Sequence, residues 1–363
     1  MHVTSVQLRN FRCFTSLALD FKSSIVLITG PNGSGKTSIL EALHFICYLR
    51  SFKTHITKEL IHNSDEGFSI IASIASPHAL DTLQVSITRH KRLVKLNQKP
   101  LYSFKELYTV YKAITITEDD LLIVRGAPAV RRSFIDQMLV LQDPSYALLL
   151  RKYRHILDNR NALLSQFNFD KESYVLWTSQ LLAASKALQE QRQSLLVRLE
   201  KEASALAHEV IGPDYGISIP YLYARPYTAA AETAQELLER YPSLIEHERA
   251  QRRSLFGAHL DDFSLIFQQK ESRTYASRGQ QKLIVFLLKL AQAKLIHNHE
   301  VVFLVDDFMA DFDEAKASVL LPLMIRLSCQ VIMTFTFVPD FLQTQLSSLA
   351  PQYLSLQSLE SID

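Results

Sequence analysis

Hydrophobic and polar positions change rhythm along this chain. Up to about residue 112, apolar residues alternate with polar ones or come in short runs bounded by turn residues, which predicts strands. Residues 3–8, 25–29, 68–75, 83–88 and 93–96 fit, the last leading into a turn at Asn97-Gln98-Lys99-Pro100. From 133 to 210 the apolar positions recur at helical spacing, through Trp177, Leu181, Leu188, Leu195, Leu199, Leu206 and Val210. Glu202 falls where a heptad would want its next leucine, so a packed helical lobe is expected rather than a coiled coil. Gly212-Pro213 stops the helix. From Phe256 onward strands and helices alternate again. Ser277 is placed to cap a helix from Gln280 to about Ile296, and 301–305 and 331–335 are fully apolar runs of the kind that form central parallel strands. The expected architecture is an α/β domain interrupted by a mostly helical lobe. Its first part covers 1–115, the lobe 116–255 and its second part 256–363.

The strand at 25–29 runs into Gly30-Pro31-Asn32-Gly33-Ser34-Gly35-Lys36-Thr37, and Ser38 onward continues as a helix. Strand, glycine loop and helix form the setting of a phosphate loop, whose backbone N–H groups turn inward at the positive end of a helix. In that reading Lys36 reaches the β- and γ-phosphates of ATP and Thr37 holds Mg²⁺. A second Mg²⁺ partner is expected at the end of a neighbouring strand. Asp306 ends the apolar run 301–305 and is placed for it, while the adjacent Asp307 is placed to orient or deprotonate an attacking water. Asp311 and Asp313 read as a solvated turn. Ser277-Arg278-Gly279-Gln280-Gln281 sets a hydroxyl, a glycine and an amide at a second helix start. Two such helix starts suggest that ATP is sandwiched between two copies of the chain, the phosphate loop of one facing Ser277, Gly279 and Gln280 of the other.

Composition narrows the class. The chain has 363 residues, 47% of them hydrophobic, with a formal net charge of +2. That excludes a disordered chain and a uniformly basic nucleic-acid binder, but allows local basic patches. The three cysteines, Cys13, Cys47 and Cys329, form no C-x-x-C pair and are expected to be buried reduced thiols, as suits a cytoplasm. The most apolar stretch, 283–296, is interrupted by Lys289 and Lys294 and is too short to span a bilayer.

Taken together these segments resemble the RecF family of ABC-type ATPases, relatives of SMC and Rad50 heads. The resemblance is carried by Leu8-Arg9-Asn10-Phe11-Arg12, by Gly30 to Leu43, by Leu49-Arg50-Ser51-Phe52-Lys53-Thr54 and by Asp119-Asp120-Leu121 through Arg131-Arg132-Ser133-Phe134-Ile135-Asp136. Gly257-Ala258-His259-Leu260-Asp261-Asp262 and, most specifically, Ser277-Arg278-Gly279-Gln280-Gln281-Lys282-Leu283 complete it. Ala258 and Leu260 depart from the family's Pro and Arg, Glu118 stands where the family has Pro, and Thr334 or Thr336 stands where many ABC ATPases place a switch His. The resemblance implies an ABC-type head and a weak, DNA-stimulated ATPase that works as a conformational switch. It also implies adenosine contacts near Asn10 and Arg12, and a role in recombinational repair of gapped DNA, in replication restart and in the SOS response. RecR and RecO are the implied partners, helping to load RecA on single-stranded DNA.

Arg89, Lys91, Arg92 and Lys95 form the densest basic run, over a hairpin, and Arg131 and Arg132 belong to a second set near the helical lobe. Either set suits phosphate contacts without base readout. Two other functions fit a phosphate loop: a transporter-type ABC subunit and a metabolic P-loop kinase.

Overall fold

The computed structural model describes residues 1–63, 65–75, 80–101, 107, 110–224, 233–296, 301–309 and 312–356. Asp311 lies outside them. The chain forms two compact units, one from residues 1–121, 209–211 and 277 onward, the other from 122–208 and 212–276.

The first unit opens with β1 (His2–Phe11), β2 (Phe14–Asp20) and β3 (Ile25–Thr29), then α1 (Lys36–Tyr48). It continues with β4 (Gly67–Ala75), β5 (Leu80–Thr88), β6 (Arg92–Leu96), β7 (Lys99–Pro100) and β8 (Lys112–Ile116). Apolar residues alternate along β4 and β5, so each buries one face and shows the other to solvent. The β6–β7 turn places Asn97 and Gln98 at φ 50° and 68°, the left-handed geometry that a two-residue hairpin turn demands.

The second unit carries α2 (Leu122–Arg125), α3 (Pro128–Gln142), α4 (Tyr146–Leu164) and most of α5 (Lys171–Ile211). Asp170 caps α5, accepting from the Glu172 and Ser173 amides. Leu181, Leu188, Leu195, Leu199 and Leu206 are buried along α5, and Ala203 rather than Glu202 continues the seam. That one-residue slip is the drift of a 3.6-residue helix against a seven-residue repeat. Short elements follow: β9 (Ile217–Ser218), β10 (Tyr221–Leu222), α6 (Ala234–Arg240), α7 (Leu244–Gln251), β11 (Asp262–Phe263), β12 (Ile266–Phe267), β13 (Lys270–Glu271) and α8 (Ser272–Tyr275). The expected boundary at 255/256 is thus corrected. Residues 256–276 belong to the second unit, because Phe256, Ala258, Phe263 and Leu265 are buried there and Asp262 pairs with Arg131 of α3.

The chain then returns to the first unit with α9 (Arg278–Leu295), β14 (Val301–Val305), α10 (Glu314–Ile325), β15 (Gln330–Phe335), α11 (Asp340–Leu346) and β16 (Gln352–Ser355). A five-stranded sheet runs in the order β16-β3-β15-β14-β8, every pairing parallel, and an antiparallel sheet in the order β2-β1-β4-β5-β6-β7. Helix α1 packs on strands of both, and one core joins Ile39, Leu43 and Phe45 of α1 to Val26 and Ile28, to Val302 and Leu304, and to Ile70 and Val85. The carboxyl ends of β3, β14 and β15 therefore open on one edge, where ligands of parallel sheets are held. Among the described residues no helix is long and apolar enough to cross a membrane.

Candidate nucleotide site

Between β3 and α1 the loop from Gly30 to Gly35 has the backbone that its glycines permit. Gly33 and Gly35 sit at φ 87° and 90°, where other residues are strained. A Cβ on Gly35 would also lie 2.4 Å from the Phe14 ring and 2.6 Å from Cys13 Sγ, because the β1–β2 turn rests on the loop. Lys36 turns back over the loop and donates to the Gly30 and Pro31 carbonyls, at 2.7 and 2.8 Å. The Ser34 hydroxyl is buried with no hydrogen-bond partner among the described residues. A buried polar atom left unmatched inside a cationic glycine cradle fits a loop shaped for a polyphosphate.

The acid pair lies beside this loop. Thr37 Oγ1 donates to Asp306, 2.9 Å from either carboxylate oxygen, across 269 residues of sequence. Thr334 Oγ1 donates to Asp306 Oδ1 at 2.9 Å and accepts from the Asp307 amide at 2.8 Å. Burial holds the Asp306 carboxyl above its ordinary range, against the opposing pull of the Thr334 and Thr37 hydroxyls and of Lys53. Asp307 is exposed, with its backbone in the left-handed region at φ 49°. Among the described residues no three His, Cys, Asp or Glu side chains gather to hold a metal by themselves. Thr37 and Asp306 could hold Mg²⁺ only with water and phosphate oxygens completing its shell, which is how Mg²⁺ is usually bound.

One organising residue escaped the reading of the sequence. Glu41 of α1 is fully buried and accepts both Arg12 Nε and Nη2, at 2.8 and 2.7 Å, together with the Ser51 hydroxyl. Ser51 Oγ in turn accepts from the Lys53 and Thr54 amides. Glu41 thus ties the β1–β2 turn and the loop carrying Lys53 to the helix of the phosphate loop. Its signal was a lone charge inside the apolar run Ile39-Leu40-Glu41-Ala42-Leu43. The Arg12 guanidinium, implied as an adenosine neighbour, is engaged by Glu41 and by the Glu59 carbonyl.

Ser277 caps α9 in a reciprocal box: its hydroxyl accepts from the Gln280 amide, and Gln280 Oε1 accepts from the Ser277 amide. The hydroxyl keeps its own proton to donate, and Ser277 is exposed. Arg278 pairs with Glu118 at 2.7 Å, and Lys289 with Asp120 at 2.7 Å, so α9 is tied to the segment after β8. Asp313 caps α10 through the Lys316 amide. Thr336 is exposed and lines a cavity of about 670 Å³ with Gly30, Pro31, Phe337 and Tyr353.

The two basic sets differ. Arg89, Lys91 and Arg92 are exposed at the β5–β6 hairpin, with Lys95 half-buried beside them. Arg131 is only 4% exposed. Its guanidinium grips both Asp262 oxygens at 2.7 Å and the Gly126 carbonyl at 3.0 Å, so it holds the second unit together rather than facing a phosphate. Arg132 is half-buried and donates to the Asp261 carbonyl. Cys13 is exposed in the tight β1–β2 turn, contrary to expectation, whereas burial pushes the Cys47 thiol up to about 12.

Residues 2–346 match the family described as the RecF/RecN/SMC N terminal domain. The DNA replication and repair protein RecF of Cyanothece sp. is 32% identical over 351 residues, covering 94% of this chain and 93% of that protein. Its namesake in Moorella thermoacetica is 33% identical over 331 residues, covering 89% and 87%. A solved structure described as the recombination mediator protein RecF with ATP in the RecFOR pathway shares the fold, with a TM-score of 0.81 over 93% of each chain at 23% identity. The family match over most of the chain and the two relatives point the same way: this chain belongs to the RecF family of DNA replication and repair proteins.

Proposed function

We propose that this protein binds ATP with Mg²⁺, hydrolyses it slowly, and uses it to close a homodimer on gapped DNA during recombinational repair. The reading rests above all on the Thr37–Asp306 contact, which joins the phosphate loop to the acid strand. In it Gly30 to Ser38 cradle the phosphates, with Lys36 leaving the Gly30 and Pro31 carbonyls to meet them. Thr37 and Asp306 hold the metal, whose charge offsets that of the phosphates. Asp307 positions a water. Ser277, Gly279 and Gln280 serve the site of a second copy, where the free Ser277 proton and the α9 amides suit a γ-phosphate. DNA phosphates meet Arg89, Lys91, Arg92 and Lys95 without base readout; Arg131 and Arg132 drop out of that set. RecR and RecO are the partners, RecA loading and the SOS response the outcomes, and the cytoplasm the place. Family membership weighs against a transporter subunit, and a metabolic kinase would leave Ser277 without a task.

Sedimentation and DNA binding with ATP, ADP and a non-hydrolysable analogue test the reading. ATP and the analogue should each give a dimer and tighter DNA binding, and ADP neither. Asp307→Asn should bind ATP, lose turnover and stay dimeric. Mixing Ser277→Arg with Lys36→Arg protein should restore some turnover, because one composite site would then be intact. No recovery, with association demonstrated, would place Ser277 within its own site and end the shared-site reading.

A further inference from the structure

Strand β14 leaves the parallel sheet at its carboxyl end. Its last ladder partner on β15 is Met333, opposite Val305. Beyond that pair the Asp306 amide still donates to the Ile116 carbonyl of β8, at 2.9 Å, whereas Asp307 takes a left-handed backbone that a non-glycine residue adopts only when its surroundings enforce it. On the β15 side a single residue fastens the turn, beside the Thr37 hydroxyl that α1 brings to Asp306. Thr334 is fully buried, and its hydroxyl donates to Asp306 Oδ1 while accepting from the Asp307 amide. Its carbonyl accepts from the Phe308 amide at 3.3 Å. Three consecutive residues, 306 to 308, are thereby fastened to a single position of β15.

We propose that Thr334 is a positioning residue for the acid pair: it aims the Asp306 carboxylate at the metal position and holds the turn that presents Asp307. This rests on the nucleotide reading above. The chemistry favours threonine. A hydroxyl has one proton and spare lone pairs, so it can serve a carboxylate and an amide together. Its branched Cβ restricts the rotamer inside a strand. Asp306 lies between two hydroxyls, one on α1 and one on β15. Were Thr37 to give its oxygen to a metal, Thr334 would still fix the carboxylate. Thr334 reaches the acid pair and not the cavity beside Gly30, which Thr336 lines.

The test compares Thr334→Val, which keeps the shape and removes the hydroxyl, with Thr334→Ser, which keeps the hydroxyl. Affinity for ATP is measured in Mg²⁺ and in EDTA, turnover at saturating ATP, and the melting point without nucleotide. For Thr334→Val we expect unchanged affinity in EDTA, a loss of roughly tenfold or more in the affinity that Mg²⁺ adds, and a similar fall in turnover, as for one hydrogen bond to a charged group. Thr334→Ser should recover most of both. If the valine variant does not fold, Thr334→Ala removes the same hydroxyl and carries the same expectation. A hydroxyl-free variant that keeps the Mg²⁺ gain and the turnover, beside an Asp306→Asn protein that loses the gain, overturns the role of Thr334 and leaves the nucleotide reading standing. If Asp306→Asn keeps the gain too, both fall.

Discussion

Arg160 in the second unit and Asp306 in the first are both charged groups drawn in from water, and their surroundings differ in kind. Arg160 is fully buried against the fully buried Glu248, at 3.0 and 2.6 Å through two parallel bonds. Its other donors reach Ser254 at 2.7 Å and Thr178 at 3.2 Å, and its plane lies over the rings of Tyr174 and Phe256. Glu248 also accepts from Tyr174 and from the Leu255 amide. Charge meets opposite charge and the polar atoms around the pair are matched, as a structural pair requires. Asp306 takes its hydrogen bonds from neutral hydroxyls, while Lys53 acts on it from farther off. The first arrangement is closed. In the second the hydrogen-bond partners are neutral, and the opposite charge is what Mg²⁺ would bring under the proposed function.

The largest expected effect comes from opening the closed cluster. Arg160→Ala leaves Glu248 buried without its cation, and should destabilise the protein by about 3–5 kcal/mol in chemical denaturation. ATP affinity of the folded fraction should not change. A loss below about 1 kcal/mol would show that water reaches the cluster, and the contrast with Asp306 would weaken.

Lys36→Arg asks the converse question. The wider guanidinium keeps the charge but not the compact ammonium of the loop. Turnover should fall about a hundredfold or more, in line with loss of a charge-stabilising donor, with some nucleotide affinity left. The melting point should stay near that of the unmodified protein, because the Lys36 contacts are to carbonyls of a solvent-facing loop. Turnover close to normal would remove the phosphate-loop assignment.

Each unit also draws a half-buried histidine into surroundings that favour its neutral form. Burial pushes His259, hydrogen-bonded to Tyr153, down to about 4, and His44, beside Thr115, down to about 3. The unfolded chain takes up these protons near the ordinary histidine value of about 6.5, whereas the fold resists. Stability should therefore fall as pH drops from about 6.5 toward 4 for His259 and toward 3 for His44. Denaturation midpoints across that range should show a shallower slope for His259→Gln and for His44→Gln. An unchanged slope in both would mean that neither imidazole is held neutral.

What could be read from the sequence follows from where each partner lies. The phosphate loop is contiguous, so its glycines, Lys36 and Thr37 declare themselves, and the apolar run ending at Asp306 does so almost as plainly. The Ser277 box is local too, closing within three residues. Long-range partners are another matter. Arg131 looked like a surface cation because Asp262 stands 131 residues away. Arg12 and Ser51 meet on Glu41 only after β1, α1 and the loop behind it have packed. Residues 256–276 alternate in short strands like those of the α/β domain, and long-range contacts such as Arg131–Asp262 assign them to the second unit instead.

The smallest effect is the sharpest for the comparison. Asp306 has its carboxyl raised by burial, so the folded state holds a proton there more readily than the unfolded chain does. Above its folded pKa the ionised group therefore costs stability, and the cost disappears as pH falls through that value. At neutral pH, Asp306→Asn removes the charge while leaving an oxygen to accept from Thr37 and Thr334. The nucleotide-free protein should be as stable as before or more stable by up to about 1 kcal/mol, as when a strained functional group is neutralised. Mg²⁺ should no longer add to the rise in melting point that ATP gives, because that addition depends on a metal held by the fold. One residue would then separate stability from ligand binding in opposite directions. If instead Asp306→Asn weakens the nucleotide-free protein by several kcal/mol, as Arg160→Ala should, the carboxylate is already matched by the fold. Asp306 would then belong with the closed clusters of the second unit.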